Sequence, residues 1–506
     1  MNSKFTTKEK AVNKATFLKS FFLFALFFFI SQFTYAIVYT FNGGTNWATG
    51  ANWTNGVPPN PLTTGNSIII NANCALNIGA ATQTINNGAS ITINTGVTLT
   101  VNTGKTLSVD GTMNNAGTST TAGTGSLAFT ANGIYNHTQN GGTIPTATWN
   151  AASTCNVTGI TNTVPAGLGQ SFGNFTWNCA SQSGSIGLNT AMSIQGDFTI
   201  TSTAAQNLRL TDNGTSRTLA IAGDYVQTGG IFRLNNSTGV GTMNVTGNFS
   251  LSGTANLVIV SGNAASIVSV TGNVSITAGT LTMSEDAQPG TLNVAGDFTF
   301  TGGTITQTTS VGEIVFNKTG TQTYTSGGTL SGQINFTVNS GSILQMGTGA
   351  SPAIISSGST GTFDLNSGGT LGVTSTAGIT TSGATGNIQL TGVRTYAAGS
   401  HIIYNGNANQ AVGNGLTSTN KANITIDNPG NTVTLGTNTT MTGILTVRAG
   451  STLDLSTFNL GSPTSTVLEN GTTASTIRGS GTLTLGGGVT VNTLSETGTG
   501  ASISSP

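Results

Sequence analysis

Charge is scarce in this chain of 506 residues, which has 14 Lys and Arg, 14 Asp and Glu, and two His. Few ionisable groups leave few candidate acids, bases or metal ligands. Cysteine occurs only three times, and proline only ten times, which suits strands that need their N–H donors. Beyond the N-terminal segment, nothing shows the 3.6-residue apolar spacing of a long amphipathic helix. Low charge can accompany disorder, but disordered chains are poor in hydrophobic residues and 36% of these residues are hydrophobic. The chain can therefore bury a core. Glycine, with 72 residues, is what it has in abundance.

No apolar run is long enough to span a bilayer. The longest, Phe21 to Ile30, has about ten residues against the ~20 a helix needs. It follows Lys4, Lys8, Lys10, Lys14 and Lys19 and precedes Thr34-Tyr35-Ala36, the layout of a secretory signal over residues 1–36 with cleavage near Ala36. Cleavage removes five of the 14 basic residues and one of the 14 acidic ones. The nine and 13 that remain give a formal charge of −4. A mildly acidic mature chain has no basic footprint for nucleic acid and no Lys/Arg cluster for anionic lipid.

Two periods run through what remains. From Gly88 to Gly111 the units GASITINT, GVTLTVNT and GKTLSVD follow one another, with glycines at 88, 96, 104 and 111. Each holds two apolar residues separated by one polar residue (Ile91/Ile93, Leu99/Val101, Leu107/Val109), the pattern of a strand with one face buried. Further on IQGDFTI, IAGDYVQ, VTGNFSL, VTGNVSI and VAGDFTF recur with glycines at 196, 223, 247, 272 and 296. Three eight-residue faces make one coil of about 24 residues, so both periods describe a right-handed parallel β-helix, an all-β solenoid. Stacked coils place like residues over like, and Phe198, Tyr225, Phe249, Val274 and Phe298 form a candidate internal ladder. The glycine of each unit is expected to take a corner conformation that other residues resist.

Residues 37–85, with Trp47, Trp53 and Pro58-Pro59, read as an N-terminal cap, and residues 86–310 as the regular coils. Over 311–506 a looser repeat appears, IVFNKTGTQ (Ile314 to Gln322) and IIYNGNANQ (Ile402 to Gln410). It is expected to continue the solenoid as higher-order units, with β-sandwich modules as the alternative.

The stretches TNWATGANWTNGVPP (45–59), NGIYNHTQNGGTIPTATW (132–149), FGNFTWNC (172–179), GTFDLNSGGTLG (361–372) and GNGLTSTNKANITI (413–426) resemble the large secreted repeat proteins of Bacteroidetes bacteria. The resemblance touches most of the mature chain. It implies an adhesin-like β-helix at the cell surface, in a group often exported by the type IX route, and it implies no reaction. The group's C-terminal sorting domain is not evident in the closing GTGASISSP. A piece of a longer chain, or a different route of attachment, is expected.

A search for chemistry finds little. There is no Asp-Asp pair, Asn-Thr-Asp or Gly-His-Gly of the kind polysaccharide-cleaving β-helices need, and no Gly-x-Ser-x-Gly elbow between a strand and a helix. Runs such as Thr301-Gly302-Gly303-Thr304 lack the helix and lysine of a phosphate loop and read as turns. Asp197, Asp224 and Asp297 share one repeat position and could line a cation, but Asn248 and Asn273 interrupt the column, which favours corner residues bonding the local backbone. His137 and His401 stand far apart without metal-ligand spacing. Trp47, Trp53, Trp149 and Trp177 could stack on sugar rings or simply fill cap and core. Cys155 and Cys179 are separated by the length of one expected coil, so they form either a disulfide between adjacent turns or two small core residues. Cys74 has no partner at that spacing.

The expected function is therefore a non-catalytic, exported structural or adhesin-like protein of the outer cell surface. It takes no catalytic residues, metal or cofactor, and its expected partner is extracellular polysaccharide or another cell-surface component. The alternative is a polysaccharide lyase or hydrolase on the same scaffold. An ice-binding solenoid is a third reading, prompted by Thr98-Leu99-Thr100 and Thr304-Ile305-Thr306, although such pairs do not recur in every coil.

Overall fold

In the computed structural model, the described residues are 35–416, 419–420, 422–461, 463–469, 471–484, 488–491 and 502–504. The expected signal sequence falls almost wholly outside them. The described chain is an all-β parallel solenoid, consistent with a right-handed β-helix. Short strands of alternating burial build it. In Ser90–Ile93, for example, Ile91 and Ile93 are fully buried while Ser90 and Thr92 are partly exposed. Between such strands Gly88, Gly96 and Gly104 turn the chain at φ of 76°, 76° and 72°.

The coil has three sides. Side one is a sheet that starts at Val38–Phe41 and reaches Gly488–Val491, with parallel pairing from coil to coil. Its twenty parallel strands in series make a rod of about 90 Å at the usual ~4.8 Å strand spacing. Side two and side three are made of successive shorter sheets. Side two holds Cys74–Leu76 to Thr118–Thr121, then Ile186–Gly187 to Thr329–Leu330, then Gln410–Ala411 onward. Side three holds Thr82–Ile85 to Thr148–Trp149, then Ser171–Phe172 to Arg394–Tyr396, then Thr419–Asn420 onward.

The expected ladder is present in register: Phe198 lies over Tyr225, then Phe249, Val274 and Phe298. All five side chains are buried, and Tyr225 stacks on Phe249 with ring centroids 5.1 Å apart. The same column runs back through Phe175, Cys155, Tyr135 and Met113 to Ile91. Coil length varies along it. The coil from Tyr225 to Phe249 has the expected length, those from Tyr135 to Cys155 and from Cys155 to Phe175 are shorter, and that from Leu371 to Ile402 is longer. The inward residues stay in register from coil to coil because they carry the core, and the corners absorb the difference.

The glycine of the long repeat serves a purpose other than the one expected. Gly223, Gly247 and Gly272 do not take left-handed φ values. A Cβ on Gly223 would instead lie 2.4 Å from Oδ1 of Asp197 and 2.6 Å from the Gly196 carbonyl. Corners of neighbouring coils touch there, and only hydrogen fits between them.

The coils begin earlier than residue 86. Ser67–Ile70, Cys74–Leu76 and Thr82–Ile85 already pair in parallel with Ser90–Ile93, Thr98–Val101 and Thr106–Val109. Within the expected cap, Trp53–Thr54 pairs antiparallel with Val38–Phe41 and covers the outer edge of the first strand, which would otherwise offer unpaired backbone groups. Phe41, Trp47 and Trp53 close the end of the core, edge to face, with centroids 5.0 and 4.8 Å apart.

Beyond 311 the described strands pair in parallel from coil to coil, apart from the short ribbon at residues 347–352. The two look-alike motifs do not share a face. Ile314 belongs to side three, whereas Ile402 belongs to side one. What they share is a corner. In each, a buried glutamine accepts an N–H from four residues back, Lys318 to Gln322 and Gly406 to Gln410, both at 3.0 Å. Its amide then donates to carbonyls of the preceding coil, Val294 and Gly296 in one case, Val373 and Ser375 in the other. The recurrence of the motif is a reused corner and not a higher-order unit.

Candidate functional site

The repeated Asp/Asn position forms a ladder along one corner. Oδ1 of Asn174 accepts the N–H of Asp197 at 2.8 Å, Asp197 that of Asp224 at 2.8 Å, and Asp224 that of Asn248 at 2.6 Å. Asn248, Asn273 and Asp297 continue it to the N–H of Thr323 at 2.9 to 3.0 Å. The bonds reach the backbone of the next coil and not the local chain, which corrects the expected partner. Aspartate and asparagine alternate freely because the bond uses only Oδ1. No group of three or more His, Cys, Asp or Glu side chains suited to a metal occurs among the described residues.

The histidines are tied into the fold. His137 is fully buried beside Tyr135. Asn115 Nδ2 donates to the Tyr135 hydroxyl at 2.9 Å, the hydroxyl lies 3.1 Å from His137 Nδ1, and His137 Nε2 lies 2.7 Å from the Gly141 carbonyl. A carbonyl can only accept, so the proton sits on Nε2 and the Tyr135 hydroxyl donates to Nδ1. Burial holds His137 below its usual pKa, and burial also raises Tyr135. His401 Nε2 meets the Thr425 hydroxyl at 2.7 Å, and burial, then the charge of Arg448, lowers its pKa.

Trp47 and Trp177 are 0% exposed, Trp53 7% and Trp149 6%. Each ring lies at an inward position of a strand or closes the end of the core, which favours core filling over sugar stacking, and Trp149 borders a depression on side three. Trp149 stacks on Phe129 at 4.3 Å and 12°.

The one-coil alignment of Cys155 with Cys179 is not met either. The coils are short here, so Cys155 faces Tyr135 and Phe175, while Cys179 lies beyond Trp177, the partner of Val157. The Cys179 thiol donates to the Val157 carbonyl at 3.4 Å. All three cysteines are free and buried, and burial pushes the Cys74 thiol up to about 12 and Cys179 to about 11.

Several charges serve as straps. Arg233 on side two reaches over Val258 to pair with Glu285 two coils away, which explains how Val258 can point outward and still be fully buried. The same strap region interrupts the threonine array expected for ice. Thr280 and Thr282 stack in register on Thr304 and Thr306, but Thr282 is buried.

One concavity lies on side three. A depression of about 410 Å³ is lined by Ala128, Thr130, Thr148, Trp149, Asn150 and Gln195 among others. Gln195 also borders a second depression, of about 190 Å³, with Ser193, Ala220, Ala222, Asn244 and Thr246. The two form a shallow groove along the rod at the break between the first two side-three sheets. There Gln195 donates to the Trp149 carbonyl at 3.3 Å and to the Ser171 carbonyl at 3.4 Å. Its lining is amide, hydroxyl and apolar, including Phe129, Trp149, Ile194 and Ile221, with no charged side chain. Sequence reasoning missed this groove. Its alanines carry no chemical signature until the register brings Ala220 beside Ser193 and Asn244.

Fold and surface together define a parallel β-solenoid with a neutral polar exterior. No family profile matches the chain, and no curated protein matches it. Among solved structures, it is similar to a TibA fragment (55–350) described as hyper-glycosylated through catalysis by TibC. The identity is 17%, the match covers 81% of this chain and 100% of that one, and the TM-score is 0.17. A likeness that loose carries no functional argument. Among the described residues, no helix is long and apolar enough to cross a membrane.

Proposed function

We propose that the protein is an exported, non-catalytic structural or adhesin-like rod of the outer bacterial surface, which meets extracellular polysaccharide or another cell through its long sides. The observation that carries this reading is the uncharged side-three groove, where Asn150, Gln195 and Asn244 amides and Thr130, Thr148, Ser193 and Thr246 hydroxyls line one channel. Amides and hydroxyls can both donate and accept, as sugar hydroxyls require, and the alanine floor suits the C–H faces of pyranose rings. Export rests on the basic and apolar leader, and the likeness to Bacteroidetes surface repeat proteins points the same way.

The test is a panel of neutral and acidic glycans presented to the mature chain, with binding and release of reducing ends both measured. Binding of intact glycan without cleavage is expected. Glycan cleavage would overturn the non-catalytic reading, and the absence of any glycan binding would overturn the choice of partner.

A further inference from the structure

Nearest-neighbour contacts between coils hold a solenoid together, so its cooperativity is no stronger than its weakest interface. In this rod sides two and three are each interrupted twice; at the first interruption Trp149 still packs on Phe172, with ring centroids 5.1 Å apart, whereas at the second the core stack ends as well. The regular side-two sheet stops at Thr329–Leu330 and the next begins at Gln410–Ala411. Among the described residues, side three stops at Arg394–Tyr396 and begins again at Thr419–Asn420. Between those limits the chain makes an antiparallel ribbon at residues 347–352, single bridges such as Ile355 to Ile388, and isolated backbone bonds such as Ala411 N–H to the Thr376 carbonyl at 2.7 Å.

The core changes at the same place. On side three the inward column runs Leu292, Ile314, Phe336, Phe363 and then Arg394. Arg394 is 6% exposed, and its guanidinium donates to the carbonyls of Thr380, Gly383 and Leu390 and to the Thr380 hydroxyl. An arginine that spends its donors on one long loop does not continue an apolar stack into the next coil. Side three still pairs here, Phe363–Leu365 with Arg394–Tyr396, and only beyond Tyr396 is side one left, among the described residues, as the unbroken ladder, through Leu371 to Ile402. It is reinforced by Gln345 and Asn405, which exchange amide bonds of 2.8 and 3.3 Å from coils on either side of Gly372.

We propose that the interface between the coil of residues 370–396 and the coil that begins at His401 is a seam dividing the solenoid into two cooperative units, the coils up to Tyr396 and the coils from His401 onward. Each unit opens without unfolding the other, because coils are coupled through their neighbour contacts. Such a seam lets one part of a surface rod yield while another stays folded.

Hydrogen exchange read by mass spectrometry on the full exported chain, across a urea series, tests this. Strands between His401 and Leu468 are expected to exchange through an opening whose urea dependence differs from that of strands between Asn207 and Leu330. Asn405→Ala is expected to speed exchange in the first set by about tenfold and to leave the second unchanged. Ser250→Ala, an outward residue in a regular coil, is expected to change neither. A single urea dependence shared by both sets in the unmodified chain would overturn the proposal, as would an Asn405→Ala effect spread equally over both.

Discussion

Tyr135 donates its hydroxyl proton to Nδ1 of His137 across 3.1 Å inside the core, two residues along one strand. The arrangement holds the imidazole neutral, and burial lowers its pKa in the folded state. An unfolded histidine titrates near ~6.5, so as the pH falls below that value the unfolded chain takes up a proton that the folded chain resists. The contribution of His137 is therefore unchanged above about pH 7 and turns against folding as the pH falls below ~6.5. His401, also lowered, acts in the same direction. Urea midpoints are expected to decline between pH 7.5 and 5, and His137→Gln should remove part of that slope. A slope unchanged in the variant would show that His137 titrates as a free histidine.

Phe249 is enclosed between Tyr225 and Val274 in the internal ladder. Phe249→Ala is expected to cost about 3 to 5 kcal/mol, as other buried aromatic truncations do. The effect should appear as lower protease resistance around residues 223 to 296. Unaltered resistance would mean that the ring is not part of the core.

Gly372 lies under the Gln345–Asn405 pair, and a Cβ there would sit 2.1 Å from Oε1 of Gln345. Gly372→Ala is expected to destabilise by about 1 to 3 kcal/mol, the range for orphaned polar groups. The loss should shrink in a Gln345→Ala background, where nothing remains to collide. Equal losses in both backgrounds in a double-mutant cycle would place the strain elsewhere.

The corner ladder needs an oxygen and not a charge. Asp224→Asn is expected to change stability by less than about 0.5 kcal/mol, whereas Asp224→Ala, which orphans the Asn248 N–H, should cost about 1 kcal/mol. Thermal unfolding with and without calcium checks both. A calcium-dependent rise in melting temperature that Asp224→Asn abolishes would reveal a cation site in place of a ladder.

Cys74, Cys155 and Cys179 are buried thiols whose ionisation burial opposes. A thiol reagent is expected to label none of them in the native chain and all three after unfolding. Mass spectrometry of the non-reduced chain should find no peptide linking Cys155 to Cys179, and such a link would require a register other than the one that pairs Cys155 with Phe175.

Much of the fold was legible because strand alternation and coil length are both written in the order of residues. The glycine spacing from 88 to 111 and the Phe198 to Phe298 column identify a stacked solenoid before any coordinates exist. The candidate site was much less legible. An alternating strand shows that one face is inward, but it does not say which of three sides the strand joins. Corners of different length keep the strands aligned while shifting the count between them. Thus Ile314 and Ile402 look alike and occupy different sides, and Cys155 and Cys179 stand one regular coil apart in the chain without being neighbours in space.

The composition and periods of the sequence by themselves determined an all-β solenoid with an apolar interior and hardly any charge. Only the tertiary structure decided that the four tryptophans are buried, that Arg394 ends a core column, and that Ala220 and Gln195 line a groove. The reason is physical: burial and neighbourhood belong to pairs of strands brought together by backbone hydrogen bonding across whole coils. Corner lengths set those pairs, and local sequence constrains corner length only weakly.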